Sequence, residues 1–139
     1  MQKDEIEIFY PTSQIAWRKW LEQNHFFKKA VWLVFYNKKS KNKSITWSDA
    51  VDEALCFGWI DSKKISIDNE TSHQFFSKRK PKSTWSKINK NKVEKLIEQG
   101  LMTEAGFVQL SFMFDVIILS LPLKQKTSKI IIFVQKLDA

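Results

Sequence analysis

The densest group of residues with chemical potential is a run of cationic, hydroxyl and aromatic side chains in the second half of the chain. Residues 78–98 contain eight basic and two acidic side chains, a net +6 of the +8 carried by all 139 residues. Serine hydroxyls beside backbone N–H groups at a helix N-terminus favour an anion, and a tryptophan face can stack on a base. The pattern predicts an anionic ligand, either phosphate-bearing or nucleic acid, held by Arg79, Lys80, Ser83, Trp85, Ser86 and Asn89. Helix capping beside a solvated lysine face is the structural alternative.

A second candidate site surrounds Asp61, which follows Trp59 and Ile60. An acid between large apolar residues lies at a solvent edge or is held by a partner, because burial without one is costly. Arg79 is the candidate partner in a structural ion pair. The alternative is an enzyme of unassigned class that uses Asp61 or Cys56 in a pocket lined by Trp59 and Trp85. Its catalytic residues remain unknown, and a cysteine between apolar neighbours is usually a small buried residue.

The remaining templates for chemistry are not matched. The chain has one cysteine and two histidines, His25 and His73, which supply no ligand set for a structural zinc ion. Its three glycines are far apart, so no phosphate-cradling or dinucleotide-binding loop is present. The sequence therefore predicts neither a metal site nor a cofactor.

Composition and termini favour a cytoplasmic protein. A single cysteine cannot form a disulfide within the chain, which fits a reducing compartment. The first nine residues carry charges and no apolar run, unlike a signal peptide. The most apolar stretch, residues 110–123, is interrupted by Asp115 and is shorter than the ~20 residues that a spanning helix needs. The sequence predicts no transmembrane segment.

Periodicity and capping signals predict four helices and at least two strands. The helices are expected from Thr12 or Ser13 to about His25, from the Thr46 and Asp49 capping pattern to Gly58, from Ser83 or Ser86 to about Gln99, and from Thr103 onward. Strands are expected at residues 30–36 and 59–67, with shorter ones at 72–76 and 130–134. No repeated βαβ unit is visible. The prediction is a single small α+β domain whose short, mostly antiparallel sheet packs with about four helices.

Three ordered motifs resemble the YdeI/OmpD-associated family, whose members are also called bacteriocin-protection proteins. They are residues 54–61 (ALCFGWID), residues 79–89 (RKPKSTWSKIN) and residues 96–106 (LIEQGLMTEAG). The similarity covers residues 9–106. It implies a domain without an assigned reaction that is linked to antimicrobial-peptide or stress tolerance. The shared positions that it suggests as a pocket are Cys56, Gly58, Trp59, Asp61, Arg79, Ser83, Trp85, Ser86 and Asn89.

The chain departs from that family pattern at two positions and at its end. Ser62 stands in place of a usual glycine, and Lys78 in place of a usual proline. From residue 107 the sequence is apolar where the family continues with a polar helix. We therefore predict a domain over residues 1–106 and a divergent tail over residues 107–139, which a frameshift would explain.

Three functions remain open from the sequence. The leading hypothesis is a non-catalytic binding domain for an anionic ligand, with Trp59 and Asp61 beside the basic residues named above. The second is the enzyme with a pocket around Asp61. The third is a protein-interaction module in which Trp85 and the basic face bind an acidic protein. The oligomeric state is not predicted.

Overall fold

The computed structural model describes residues 5–81 and 83–111, which form four helices and one four-stranded sheet. The sheet order is β1-β2-β4-β3, in which only the β1–β2 pairing is parallel. The predicted α+β class and mostly antiparallel sheet are therefore confirmed. The elements are β1 (Ile8–Phe9), α1 (Gln14–Asn24), β2 (Ala30–Tyr36), α2 (Trp47–Cys56), β3 (Trp59–Ser66), β4 (Thr71–Lys78), α3 (Lys87–Glu98) and α4 (Glu104–Ser111).

The chain divides into two compact units. The sheet unit contains the described residues up to Ala54 together with Trp59–Lys78, and so it holds all four strands, α1 and most of α2. The helical unit contains Leu55–Gly58 and the described residues from Arg79 onward, which include α3 and α4. The predicted strand at 130–134 and most of the predicted tail lie outside the described residues.

Polar caps set the helix limits where the sequence predicts them. The Ser13 hydroxyl accepts a hydrogen bond from the backbone N–H of Ala16 at 3.0 Å and begins α1. The Thr46 hydroxyl accepts one from the N–H of Asp49 at 3.1 Å and begins α2. Gly58 follows α2 with a φ of +74°, a left-handed conformation that glycine adopts without steric cost. These caps confirm the predicted starts of α1 and α2.

Tryptophans of α1 form the core of the sheet unit. Trp17 is fully buried, its ring lies 5.4 Å from that of Phe76 on β4, and its indole N–H donates to the Ala50 carbonyl at 2.9 Å. Trp20 lies against Trp17 at 5.4 Å and against the buried Trp59 at 5.7 Å. These contacts pack α1, α2 and one face of the sheet together, as the predicted apolar face of α1 requires.

The sequence predicts Ile15 on the apolar face of α1 and Ile88 on the inner face of α3, but both side chains are mostly exposed. Ile15 of α1 lies about 160° around the helix axis from Trp17, given ~100° per residue. Ile88 of α3 lies about 140° from the buried Val93 by the same geometry. Both predictions were wrong, because these side chains fall outside the buried stripe of their helices.

A close contact between α2 and α4 organises the helical unit. The backbone N–H and the hydroxyl of Thr103 both donate to the carbonyl of Cys56, at 3.0 and 2.6 Å. Gly106 lies over the same carbonyl, and Phe107 beside it is buried. Helix α4 thus continues through the predicted domain boundary after residue 106.

Glu7 joins the start of the chain to α1, and its removal has a pH-dependent effect. It accepts a hydrogen bond from the Trp20 indole at 2.9 Å and pairs with Lys28. Burial would raise the pKa of Glu7, but the hydrogen bonds from Lys28 and Trp20 outweigh burial and lower it. We expect Glu7→Gln to reduce the free energy of unfolding by about 1 kcal/mol at neutral pH.

The effect of Glu7→Gln should shrink in acid. A carboxyl group whose pKa is lowered on folding stabilises the protein above its unfolded pKa, ~4.3, and loses that effect as the pH falls through the folded value. Urea unfolding at neutral pH and at about pH 3 would measure both values. Glu5→Gln, which removes an exposed carboxylate, is the matched control. An equal loss at both pH values would contradict the assigned role.

Candidate functional site in the sheet unit

The strand register places an ordered set of side chains on one face of the sheet. Residues directly opposite one another on paired strands share a face. The three successive rows across β2, β4 and β3 are Val31–Phe76–Asp61, Leu33–Gln74–Lys64 and Phe35–Ser72–Ser66. Trp17 covers the first row through Phe76. The face therefore changes from apolar and covered to polar along the strands.

A bulge in β3 keeps the polar side chains on that face. Asp61 pairs with Phe76 and Lys64 with Gln74, so three residue steps on β3 match two on β4. The extra residue explains why the alternation in residues 59–67 is imperfect in the sequence. Because a bulge redirects the side chains that follow it, Lys64 and Ser66 join Asp61 on the same face.

An open cleft of about 600 Å³ occupies the polar end of this face. Its lining has three carboxylates (Asp61, Asp68 and Glu70) and one ammonium group (Lys64), so its charged groups sum to −2 within a chain of +8. The rest of the lining is aromatic or neutral and polar: Phe35, Tyr36, Asn37, Trp47, Ser62, Ser66, Asn69, Thr71, Ser72 and Gln74. This volume fits a small ligand.

Helix α2 contributes one exposed aromatic side chain to the cleft, Trp47, which is hydrogen-bonded to a carboxylate. Trp47 is the first residue of α2, and 54% of its surface is exposed. Its indole N–H donates to Oδ2 of Asp61 at 2.9 Å. No lysine or arginine among the described residues of the sheet unit lies within 4 Å of the Asp61 carboxylate. The Trp47 ring and the Asp61 carboxylate therefore lie side by side at the cleft. Among the described residues of the sheet unit, this carboxylate has no ion-pair partner.

Gln74 brings a buried amide to the cleft lining. Only 6% of the residue is exposed, and its Nε2 donates to the Lys63 carbonyl at 3.1 Å. A carbonyl can only accept, so this contact fixes which end of the amide is the nitrogen. Among the described residues, the Gln74 Oε1 has no hydrogen-bond partner. The amide oxygen is thus available to a donor in the cleft.

The β3–β4 turn supplies an ordered negative charge. The backbone N–H groups of Glu70 and Thr71 each donate to Oδ1 of Asp68 at 2.8 Å. These bonds lower the pKa of the Asp68 carboxyl group, with the Glu70 bond as the largest cause. The turn therefore presents a charged carboxylate at neutral pH, although its Oδ1 is already used by the backbone.

The basic residues predicted to hold an anion lie in the helical unit, and several of them form hydrogen bonds within their own loop. Arg79 is only 5% exposed, its guanidinium carbon lies 3.8 Å from the centre of the Trp85 ring, and it donates to the Thr84 carbonyl at 2.6 Å. Ser83 donates from both its N–H and its hydroxyl to the carbonyl of Lys80. These contacts fix the shape of the loop before α3.

Helix α3 begins with the predicted serine cap. The Ser86 hydroxyl accepts the N–H of Asn89 at 3.1 Å, so the cap uses the hydroxyl that the sequence analysis offers to an anion. Exposed lysines follow on α3, at Lys87 and Lys95. The arrangement agrees with the capping alternative, and the anion site at these residues stays a prediction.

The other predicted site residues belong to different surroundings. Trp59 is fully buried beside Trp20 and does not line the cleft, whereas Asp61 does. Cys56 is fully buried, in keeping with an unreactive structural residue. The predicted Asp61–Arg79 ion pair joins residues of separate units and stays a prediction.

Most residues of the cleft could not be identified from the sequence. Trp47 and Gln74 carry its geometry, and neither belongs to a recognisable motif. The one available signal was Gln74, a polar residue at an inward-facing position two residues before the buried Phe76. Trp47 could not be found, because its contact with Asp61 depends on how the sheet packs against α2.

Two classes of site have no candidate in the part of the chain that the structure describes. No three histidine, cysteine, aspartate or glutamate side chains there are grouped to hold a metal ion. No helix within residues 5–81 and 83–111 is long and apolar enough to cross a membrane.

The fold and the cleft define an α+β domain with a polar, aromatic-sided pocket. Residues 9–109 match the model of one protein family, a domain of unknown function named DUF8412. The match covers well over half of the chain, and the chain belongs to this family. No curated protein and no solved structure is detectably similar to it. The link to the YdeI/OmpD-associated proteins, the tolerance role and the cytoplasmic location stay predictions.

Proposed function

We propose that this chain is a ligand-binding domain whose small polar ligand occupies the cleft beside Asp61. The observation that carries the proposal is the pairing of Trp47 with Asp61 at an open cleft of about 600 Å³. A large aromatic side chain that is more than half exposed leaves apolar surface in water. The hydrogen bond to Asp61 holds that surface in one orientation at the cleft, where a ligand would cover it.

The cleft is a better candidate binding site than the basic loop, because a buried side chain there has a hydrogen-bond acceptor that no protein group in the described part of the chain satisfies. In the loop, Nη2 of Arg79 donates to the Thr84 carbonyl, and the hydroxyls of Ser83 and Ser86 are engaged by neighbouring backbone atoms. In the cleft, the Gln74 amide oxygen has no partner among the described residues. A ligand gains most from groups whose hydrogen bonds are not yet satisfied, because no existing bond is lost on binding.

Anion binding by the lysine-rich surface is the second candidate function. Lys80, Lys87 and Lys95 are exposed in the helical unit, within the segment of net +6. A nucleic-acid backbone or an acidic protein would be attracted to such a surface, with an affinity that falls as salt rises. An enzyme centred on Asp61 is a weaker candidate, since the cleft lining contains neither histidine nor cysteine.

A fragment screen observed by NMR tests both candidates on the full chain. Wild type is compared with Trp47→Ala, with Phe27→Ala as the matched control, since Phe27 is an aromatic residue with 85% exposure that lies outside the cleft. A double variant, Lys87→Glu with Lys95→Glu, tests the basic surface. We expect neutral and cationic fragments whose binding is lost in Trp47→Ala and kept in Phe27→Ala and in the double variant.

Two other results would contradict the proposal. Fragments that bind equally to wild type and Trp47→Ala would remove the cleft from consideration. Hits confined to acidic fragments and lost only in the double lysine variant would favour the second candidate.

A further inference from the structure

We infer that the ligand of the cleft carries a positively charged group with N–H donors, as in a primary ammonium or a guanidinium. This inference rests on the proposed function and specifies the chemistry of the ligand. It reverses the expectation that a chain with net charge +8 binds an anion at its principal site. Three independent features of the cleft support it.

The first feature is the charge of the lining. The lining contains three carboxylates and one ammonium group, that of Lys64, so negative charge is in excess. The hydrogen bonds from Glu70 and Thr71 that lower the pKa of Asp68 favour its charged form. A cation entering the cleft is therefore attracted, and an anion would meet like charges at short range. The net charge of the whole chain matters less, since exposed charges beyond about 10 Å are screened at moderate salt.

The second feature is the direction of the unsatisfied hydrogen bonds. Within the described residues of the sheet unit, Asp61 uses Oδ2 for the Trp47 indole, and its Oδ1 has no hydrogen-bond partner. The Oε1 of Gln74 is likewise without a partner in the described part of the chain. Both atoms can only accept, so a ligand that satisfies them must donate. Ammonium and guanidinium groups donate several hydrogen bonds and accept none.

The third feature is the aromatic surface beside the carboxylate. Trp47 is held by its N–H edge, and more than half of its surface remains exposed. A cation over a tryptophan face is attracted by the negative electrostatic potential at the face of the ring, more strongly than over tyrosine or phenylalanine. Because Asp61 holds the ring, one cationic group can lie close to both. Phe35 also lines the cleft and offers apolar surface to an alkyl part of the ligand.

A matched set of probes separates charge from shape. Ethylguanidinium and ethylurea have nearly the same size and planar shape, but ethylurea is neutral and has a carbonyl acceptor in place of one NH2 donor. Propionate is the anionic counterpart. Binding of each to the full chain is followed through the indole N–H resonance of Trp47, which is identified by its loss in Trp47→Phe. The variant Asp61→Asn tests the role of the carboxylate, because an amide oxygen can still accept the indole hydrogen bond. Glu5→Gln removes one exposed carboxylate outside the cleft.

We expect ethylguanidinium to bind about tenfold more tightly than ethylurea, with the preference falling as salt rises and disappearing in Asp61→Asn. Propionate should leave the Trp47 resonance unchanged, and Glu5→Gln should retain the preference. Equal binding of ethylguanidinium and ethylurea would overturn the inference and leave the cleft as a binding site for neutral ligands. A Trp47 resonance shifted by propionate alone, or by none of the three probes, also overturns it, and the fragment screen then decides separately whether the cleft binds a ligand.

Discussion

Replacing Gly106 by alanine is expected to destabilise the protein by about 3 kcal/mol or more. A Cβ atom at this position would lie 2.9 Å from the carbonyl carbon of Cys56 and still closer to its carbonyl oxygen. Both are backbone atoms of α2, so they cannot move aside as a side chain would. Helix α4 would have to retreat, which would lengthen the two hydrogen bonds from Thr103 to the same carbonyl.

The sign of the Gly106→Ala effect is informative, because alanine in a helix interior normally stabilises by about 1 kcal/mol relative to glycine. Gly100→Ala is the matched control. Gly100 has a φ of +73°, but an added Cβ atom would have no neighbour within 4 Å among the described residues, so we expect only the backbone cost of about 1–2 kcal/mol. Urea unfolding of both variants measures the difference. If Gly106→Ala proved as stable as wild type, the close approach of α4 to α2 would be incorrect.

Replacing Trp17 by alanine is expected to cost about 4 kcal/mol of unfolding free energy. The ring is fully buried and contacts Trp20 and Phe76, so its removal leaves a large cavity. The change also removes the indole N–H that donates to the Ala50 carbonyl. A buried acceptor that loses a donor adds about 1–3 kcal/mol of destabilisation, which places the total at the upper end of the range.

Two further variants separate the contributions of Trp17. Trp17→Phe keeps most of the apolar contact and loses the indole hydrogen bond, so about 1–2 kcal/mol should be lost. Phe27→Ala, at an aromatic side chain that is mostly exposed, should change stability by less than about 0.5 kcal/mol. Equal losses for Trp17→Ala and Phe27→Ala would show that α1 does not pack on the sheet as described.

Local signals predicted most of the described fold. Thr46 with Asp49, and Ser13 before α1, fix helix starts through contacts a few residues apart, which sequence spacing reveals. The apolar run at residues 30–36 became β2 without change. Strand β1 was not predicted, because two residues are too few for a period to be recognised. The prediction for Ile15 was wrong because its apolar side chain points away from the buried face of α1, about 160° around the helix axis from Trp17.

The cleft could not be predicted in the same way. Asp61 was singled out by its apolar neighbours, but Trp47 and Gln74 meet it only through the pairing of β3 with β4 and the position of α2. The basic run from Arg79 to Asn89 stood out because its residues are consecutive. Its arginine and Ser83 instead form hydrogen bonds within the loop, and Ser86 caps the start of α3. Sequence proximity therefore indicated a structural motif, while the stronger candidate site is assembled from distant positions.

The most direct test of the proposed function is to locate a bound fragment by intermolecular NOEs on the isotope-labelled full chain. If the fragment occupies the cleft, its protons will show contacts to the rings of Trp47 and Phe35 and to the side chain of Gln74. Contacts to Trp85 and the first turn of α3, with none to Trp47, would contradict the assignment and place binding at the basic loop.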